Sequence, residues 1–318
     1  GIPWNVDVRT GDVSSSVKAR TRRRPPSALV TTPESLSLLL SYPETKKNFQ
    51  SLRLVVVDEW HELLGSKRGV QTELALARLR SMIPGLRTWG ISATLGNTEQ
   101  ARDVLLGTNS SKARLVQGQH HKTVDVSTLK PDTMDRFPWA GHLGIKLLPK
   151  VLECLEQAES TLLFTNTRSQ AEQWFRAIEE ARPEWKDQIA LHHGSIDREE
   201  RGGSEEALRR GEIRCMVCTS SLDLGVDFSP VDQVIQVGSP KGVARLLQRA
   251  GRSGHQPGAV SRIIGVPTHA FELVEFSAAR DAAAAFHIEP REPLELSLDV
   301  LAQHLVTLAL GGGFQPEE

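Results

Sequence analysis

Apolar, β-branched runs alternate with amphipathic helical stretches twice along the chain, and no other feature restricts its fold as strongly. Residues 28–32, 52–57 and 88–92 read as strands, with helical patterns at 36–40 and 70–82. In the second of these helices Leu74, Ala77, Leu79 and Met82 fall near one face. The rhythm then repeats. Strands are predicted at 161–165, 189–192, 213–218, 232–237 and 261–266, with helices at 170–181, 199–210 and 243–249 between them. Apolar strands separated by helices predict parallel sheets covered on both faces, an α/β fold in two domains. The stretch 117–144 interrupts the pattern with Pro131, Pro138 and Gly141 and reads as a linker. After Val266 the strands stop, and residues 270–287 and 296–310 read as helices. The expected division is therefore 1–118 for a first domain, 119–143 for a linker, 144–270 for a second domain and 271–318 for the start of a helical module.

The net charge of −1 conceals opposed ends. Residues 1–24 hold six basic and two acidic side chains, whereas residues 271–318 hold two basic and nine acidic ones. A polyanionic partner must therefore meet a local basic patch, because global attraction is absent. Arg20–Arg24 is one candidate for tracking phosphates, and a charged surface loop is the competing reading. No apolar run approaches the ~20 residues that span a bilayer, so no membrane partner is expected. Three cysteines cannot build a disulfide framework, and a reducing cytoplasm is the simplest expectation. Cys215 and Cys218 have C-x-x-C spacing but lie in an apolar strand with no second pair, too few ligands for a structural zinc or an iron–sulfur cluster.

In parallel α/β sheets ligands sit beyond the carboxyl ends of the strands. The sharpest such end is Leu54-Val55-Val56-Val57-Asp58-Glu59-Trp60-His61, where an apolar strand delivers two adjacent carboxylates. One can hold Mg²⁺ through water, and the other can accept a proton from a water attacking a phosphoryl group. The competing reading is an acidic turn after a buried strand. The second signal is Gln248-Arg249-Ala250-Gly251-Arg252-Ser253-Gly254-His255. Here two arginines three apart could reach the phosphates of a nucleotide, although a solvated basic helix end would look the same.

With the segments between them, these stretches resemble the DExH branch of the superfamily 2 helicases. Ser92-Ala93-Thr94 matches motif III, which couples hydrolysis to domain movement in that family. Thr31-Thr32-Pro33-Glu34-Ser35 matches motif Ib, and Arg9-Thr10-Gly11-Asp12 the short segment before it. Phe164-Thr165-Asn166-Thr167-Arg168 resembles motif IV, His193-Gly194-Ser195 motif IVa, Thr219 to Asp227 motif V and Gln248 to Arg252 motif VI. Within the superfamily, residues 56–73, 92–97 and 248–255 are most similar to the Lhr-type helicases, and Asp299–Leu305 resembles the opening of their winged-helix domain. Trp60 in the box points to the bacterial ligase-associated branch.

The resemblance implies two RecA-like domains, the first incomplete, followed by the start of a winged helix. It further implies an ATP-dependent motor moving 3′ to 5′ on single-stranded DNA in the service of DNA repair, with repair proteins as possible partners. ATP and Mg²⁺ would meet Asp58, Glu59, Gly225, Asp227, Gln248, Arg249 and Arg252. Nucleic acid would meet Thr10, Gly11, Thr32, Pro33, Glu34, Thr165, Asn166, Thr167, Arg168, His193, Gly194, Thr219 and Ser220. His61 would link the two sites through Ser92, Ala93 and Thr94. Glu59 would activate water, Arg249 and Arg252 would steady the phosphoryl charge, and Trp60 is expected to plug the space between strand and helix.

One departure matters. The sequence contains no G-x-x-x-x-G-K-[ST], the loop that cradles phosphates. The family places it upstream of the position matched by residue 1, so this polypeptide alone is expected to hydrolyse ATP poorly. Two alternatives follow, a nucleic-acid-binding module without ATP hydrolysis and an RNA helicase. Intact carboxylates and arginines argue against decay of an ATPase.

Overall fold

A computed structural model of the chain describes residues 4–93, 95–118, 123–131, 143–223, 231–254 and 260–315. The chain divides into two compact units. One comprises Gly1–Gln117 with Pro290–Glu318, the other Gly118–Glu289.

The first unit holds two separate pairs of parallel strands. β1 (Val6–Arg9) pairs with β2 (Ala28–Thr31), with Val6 opposite Ala28 and Arg9 opposite Thr31. β3 (Leu54–Val57) pairs with β4 (Arg87–Gly90), with Val57 opposite Gly90. β2 runs straight into the helix Pro33–Leu40. Thr32 is its N-cap, accepting from the Ser35 N–H, and proline occupies the first turn, where its missing N–H costs nothing. The helix Lys67–Met82 starts the same way on Ser66. It serves two apolar clusters at once. Leu76 packs with Val57, Trp60, Leu64, Leu95, Ala101 and Leu105, while Ala75 and Leu79 pack with Leu40, Ile83 and Leu86. The helix Leu298–Leu310 also belongs to this unit, with Asp299 bridged to Lys67 at 2.5 Å and the Gly313 carbonyl accepting from Arg78.

The second unit is a six-stranded parallel sheet. It contains β5 (Val124–Thr128), β6 (Thr161–Phe164), β7 (Ile189–His192), β8 (Cys215–Cys218), β9 (Gln233–Val237) and β10 (Ser261–Val266), in the order β5-β10-β9-β6-β8-β7. Alternate residues feed two cores, one on each face. Leu162, Phe164, Met216, Val234 and Ile263 enter one; Leu163, Val217, Ile235, Val237 and Val266 enter the other. Burial on both faces is why these strands read as unbroken apolar runs.

Two expectations shift. The stretch expected as a linker contains β5, which pairs with β10 at the sheet edge. Only Val124 and Val126 of that strand are apolar, since it is covered on one side only. The boundary expected after residue 270 falls at the start of the helix Ala270–Ala284. That helix belongs to the second unit because Phe276, fully buried, lies against β10, where Gly265 leaves room for its ring. The sequence pattern predicts neither β1 nor the helix Ser15–Arg23. Both are polar or exposed over most of their length, which leaves little periodic apolar signal.

Candidate active site

At the carboxyl end of β3 the chain turns sharply. Glu59 adopts a left-handed backbone (φ 51°, ψ 41°) and opens the four-residue helix Trp60–Leu63 without a side-chain cap. For a residue with a Cβ this conformation costs free energy and persists only when its surroundings over-determine it. Several contacts do so. The Trp60 indole is 2% exposed and donates to the Ala101 carbonyl at 2.8 Å, and the Trp60 N–H donates to the Ile91 carbonyl. Asp58 is exposed and accepts from the Glu59 N–H at 2.9 Å. Its remaining carboxylate oxygen is a hard donor of the kind Mg²⁺ takes through water.

His61 lies under this turn. Its Nδ1 accepts from the Ala93 N–H at 3.1 Å, which puts the ring proton on Nε2. Nε2 stands 3.5 Å from Glu59 Oε2 and 3.8 Å from Glu62 Oε1. Burial pushes the His61 pKa down, outweighing the pull of the two glutamates, so the imidazole is neutral near pH 7. The loop after β4 is therefore connected to the carboxylate pair through one ring. The connection runs through the Ala93 amide; the Ser92 hydroxyl instead donates to the Ala93 carbonyl, and Thr94 lies outside the described residues.

In the second unit the two arginines of the Gln248–His255 stretch separate in role. Arg249 is 2% exposed. Its Nε and Nη2 donate to Asp223 at 2.8 and 3.0 Å, Nη1 donates to Gln236 Oε1, and the guanidinium sits 4.5 Å from the Phe164 ring centroid. Its three guanidinium nitrogens are all hydrogen-bonded within the second unit, so the direct phosphate contact expected of it would require those bonds to be exchanged. Arg252 is half-buried and donates to the Asp223 carbonyl at 2.6 Å. Asp223 and Gln236 escaped the sequence reading. Asp223 sits within the motif V resemblance, but nothing in Gln233–Val237 marks Gln236 as a partner. Gln248 is half-buried on the helix Val243–Ala250, while Gly225 and Asp227 lie outside the described residues.

The residues assigned to nucleic acid gather at strand ends. In the first unit Thr10 and Gly11 follow β1, and the Gly11 carbonyl accepts from Lys18 at 2.6 Å. Thr32 and Pro33 follow β2, and Glu34 is exposed and paired with Arg68 at 2.7 Å. The basic run is partly engaged. Arg20 pairs with Asp7, and Arg22 pairs with Glu44 and covers the Tyr42 ring at 3.9 Å. In the second unit Thr165 is buried, and the Asn166 amide donates to the Ser239 carbonyl at 2.8 Å. Thr167 caps the helix Arg168–Ala181, leaving Arg168 exposed at its first turn. His193 is buried 3.6 Å from Glu172, Gly194 and Ser220 are exposed, and Thr219 is half-buried at the end of β8. Cys215 and Cys218 lie inside β8, and burial pushes the Cys215 thiol up to about 12. Among the described residues no His, Cys, Asp or Glu group is arranged to hold a metal, and no helix is long and apolar enough to cross a membrane.

Residues 2–102 match the DEAD/DEAH box helicase family, residues 144–256 the helicase conserved C-terminal domain, and residues 281–318 the winged helix domain of large helicase-related proteins. The ATP-dependent helicase Lhr-Core of Methanothermobacter thermautotrophicus is 37% identical over 95% of this chain and 36% of its own length. The Lhr helicase/uracil glycosylase of Escherichia coli is 32% identical over 100% of this chain and 23% of its own length. The chain thus spans about a third or less of these relatives. The structure of Mycobacterium smegmatis helicase Lhr bound to ssDNA and AMP-PNP superposes with a TM-score of 0.84 at 33% identity, covering 97% of this chain and 40% of that one. The helicase MrfA superposes at 0.80 with 23% identity, a likeness of fold. Matching motor and winged-helix families in order, with Lhr relatives along nearly the whole sequence, place this chain among the superfamily 2 DExH helicases of Lhr type, a family of ATP-hydrolysing enzymes.

Proposed function

We propose that this chain forms part of an ATP-driven motor that moves 3′ to 5′ on single-stranded DNA and separates paired strands during DNA repair. The observation that carries the reading is the His61 relay, in which one neutral imidazole joins the Glu59 carboxylate to the Ala93 amide. An acidic turn serving only to end a strand needs no such link.

In this reading Glu59 accepts the proton of the attacking water, and Asp58 would hold Mg²⁺ through water, an ion that would supply neutralisation of phosphate charge. Arg252 is assigned to the phosphoryl charge, and Arg249 holds Asp223, the residue to which both arginines are bonded. Gln248, Gly225 and Asp227 contact the nucleotide. A change at the phosphate is felt at Glu59, passes through His61 to the loop after β4, and alters the grip on DNA. Thr32, Thr167, Thr219 and their neighbours contact phosphates of one strand. Such contacts carry little sequence information, so sequence preference is expected to be weak. The ssDNA in the Mycobacterium smegmatis structure supports DNA over RNA.

Anisotropy of a labelled single strand tests binding by the chain itself. Affinity should fall steeply with salt and be weaker for a matched RNA strand. Hydrolysis is tested after joining a relative's phosphate-loop segment ahead of residue 1. DNA should stimulate turnover, Glu59→Gln should abolish it while retaining ATP binding, and duplexes with a 3′ tail should be opened in preference to those with a 5′ tail. Unchanged turnover in Glu59→Gln refutes the assignment of the water-activating residue.

A further inference from the structure

Two charged residues on either side of Pro290 are each committed to an element of the proposed nucleotide machinery. In the second unit the Glu289 carboxylate accepts from the N–H groups of Val243 at 3.1 Å and Ala244 at 3.2 Å. The helix Val243–Ala250 has no side-chain cap from its own N-cap residue, Gly242. Glu289 supplies that cap from far along the chain, and a carboxylate suits the positive end of the helix. Gly242 makes the approach possible, because a Cβ there would stand 2.2 Å from Glu289 Oε1. This helix carries Gln248 and Arg249 and leads into Arg252.

In the first unit Arg291 is engaged through both backbone and side chain. Its N–H donates to Asn97 Oδ1 at 2.9 Å, and its carbonyl accepts from Asn97 Nδ2 at 3.0 Å. Its Nη1 donates to the His61 carbonyl and lies 3.2 Å from Glu62 Oε1. The next residue passes close to the turn as well, since a Cβ on Gly65 would meet the Glu292 carbonyl at 2.7 Å. A four-residue helix cannot hold itself in water, and this one begins on a left-handed glutamate. Arg291 provides an external brace on both the His61 turn and the segment after Ser92-Ala93-Thr94.

We propose that Glu289-Pro290-Arg291 is a positioning strap, with Arg291 setting the turn that aims Glu59 and Glu289 setting the helix that leads to Arg252. The inference rests on the ATP-hydrolysis reading for its purpose, but the brace itself can be tested without it.

In the chain as it stands, Arg291→Ala should speed amide exchange at Trp60–Leu63 and Ala93 by at least tenfold, leaving β6 unchanged. Unaltered exchange there overturns the strap. In the form carrying a phosphate loop, Arg291→Ala should lower kcat at least tenfold with KM for ATP within twofold. Arg291→Lys, which keeps a donor and a charge beside Glu62, should recover most of the loss. A raised KM with kcat unchanged overturns the positioning role. Absence of any turnover in the unmutated form refutes the ATPase reading instead, and exchange then decides the strap alone. Should Arg291→Ala not fold, Arg291→Gln, which removes the charge and shortens the reach to the His61 carbonyl, carries the same exchange comparison, and Glu289→Gln is read at Val243 and Ala244.

Discussion

Replacing Arg249 by methionine tests the proposed division between a buried, structural arginine and the Arg252 assigned to phosphate. The substitution keeps much of the side-chain volume and removes the charge. It leaves the Asp223 carboxylate, whose side chain is 8% exposed, without its two short hydrogen bonds, and it leaves Gln236 Oε1 without a donor. Breaking a buried ion pair from one side costs about 3–5 kcal/mol. An orphaned neutral acceptor adds about 1–3 kcal/mol. Arg245, 3.8 Å from Asp223, and Arg252 moderate the first of these, so a total of about 4 kcal/mol is expected. For a unit of about 150–250 residues that is a fall in Tm of roughly 8–16 °C. Amide exchange in β6 and β9 reads the second unit by itself and is the preferred assay. Arg249→Met with Asp223→Leu should recover much of the loss, because an apolar replacement of both partners removes the uncompensated charge. Arg252→Ala should cost less than about 1 kcal/mol in stability, since the side chain is half-exposed. In the phosphate-loop form it should lower turnover about 10³-fold or more. A loss below about 1 kcal/mol in Arg249→Met, or equal effects of the two arginines on stability, refutes the division of roles.

Two further outcomes follow from the packing. Burial raises the Glu73 pKa from 4.5 to about 7. The folded state holds this proton more tightly than the unfolded chain, so the stability it contributes is complete below about pH 4.5 and disappears as pH rises through about 7. Discounted for partial exposure, the change is on the order of 1–2 kcal/mol, and urea titrations of Glu73→Gln should lack it. Gly265→Ala places a methyl 2.7 Å from the Phe276 ring, which should cost about 1–3 kcal/mol by overpacking and be relieved by Phe276→Leu in thermal melts.

The sequence made the sheet of the second unit readable because its strands are apolar on both faces. β6 to β10 all lie within a residue or two of where the runs placed them. β5 was hidden because an edge strand with Asp125 and Ser127 looks like a loop, and the helix Ser15–Arg23 because nearly all of it is polar. The carboxylate pair was legible from its place at a strand end. The role of Ala93 was only half legible, since its contribution is a backbone amide and carries no residue-type signature. Arg249 was legible as important but not as buried. That required its partners Asp223 and Gln236, whose meeting depends on tertiary structure. Arg291 gave no sign at all, because its contacts at Asn97 and His61 lie 194 and 230 positions away in the chain.

The first unit is interrupted. Its last helix, Leu298–Leu310, and the residues that brace the Glu59 turn are encoded after the whole of the second unit. On a ribosome that order sets a timetable. The β3–β4 pair emerges early and waits with its turn unbraced while the six-stranded sheet is synthesised, and that sheet in turn cannot seat β5 until β10 has appeared. Nascent chains stalled after residue 289 should therefore show a protected second unit and a protease-sensitive Glu59 turn, so that completion of the proposed hydrolytic site is deferred to the end of translation of this region.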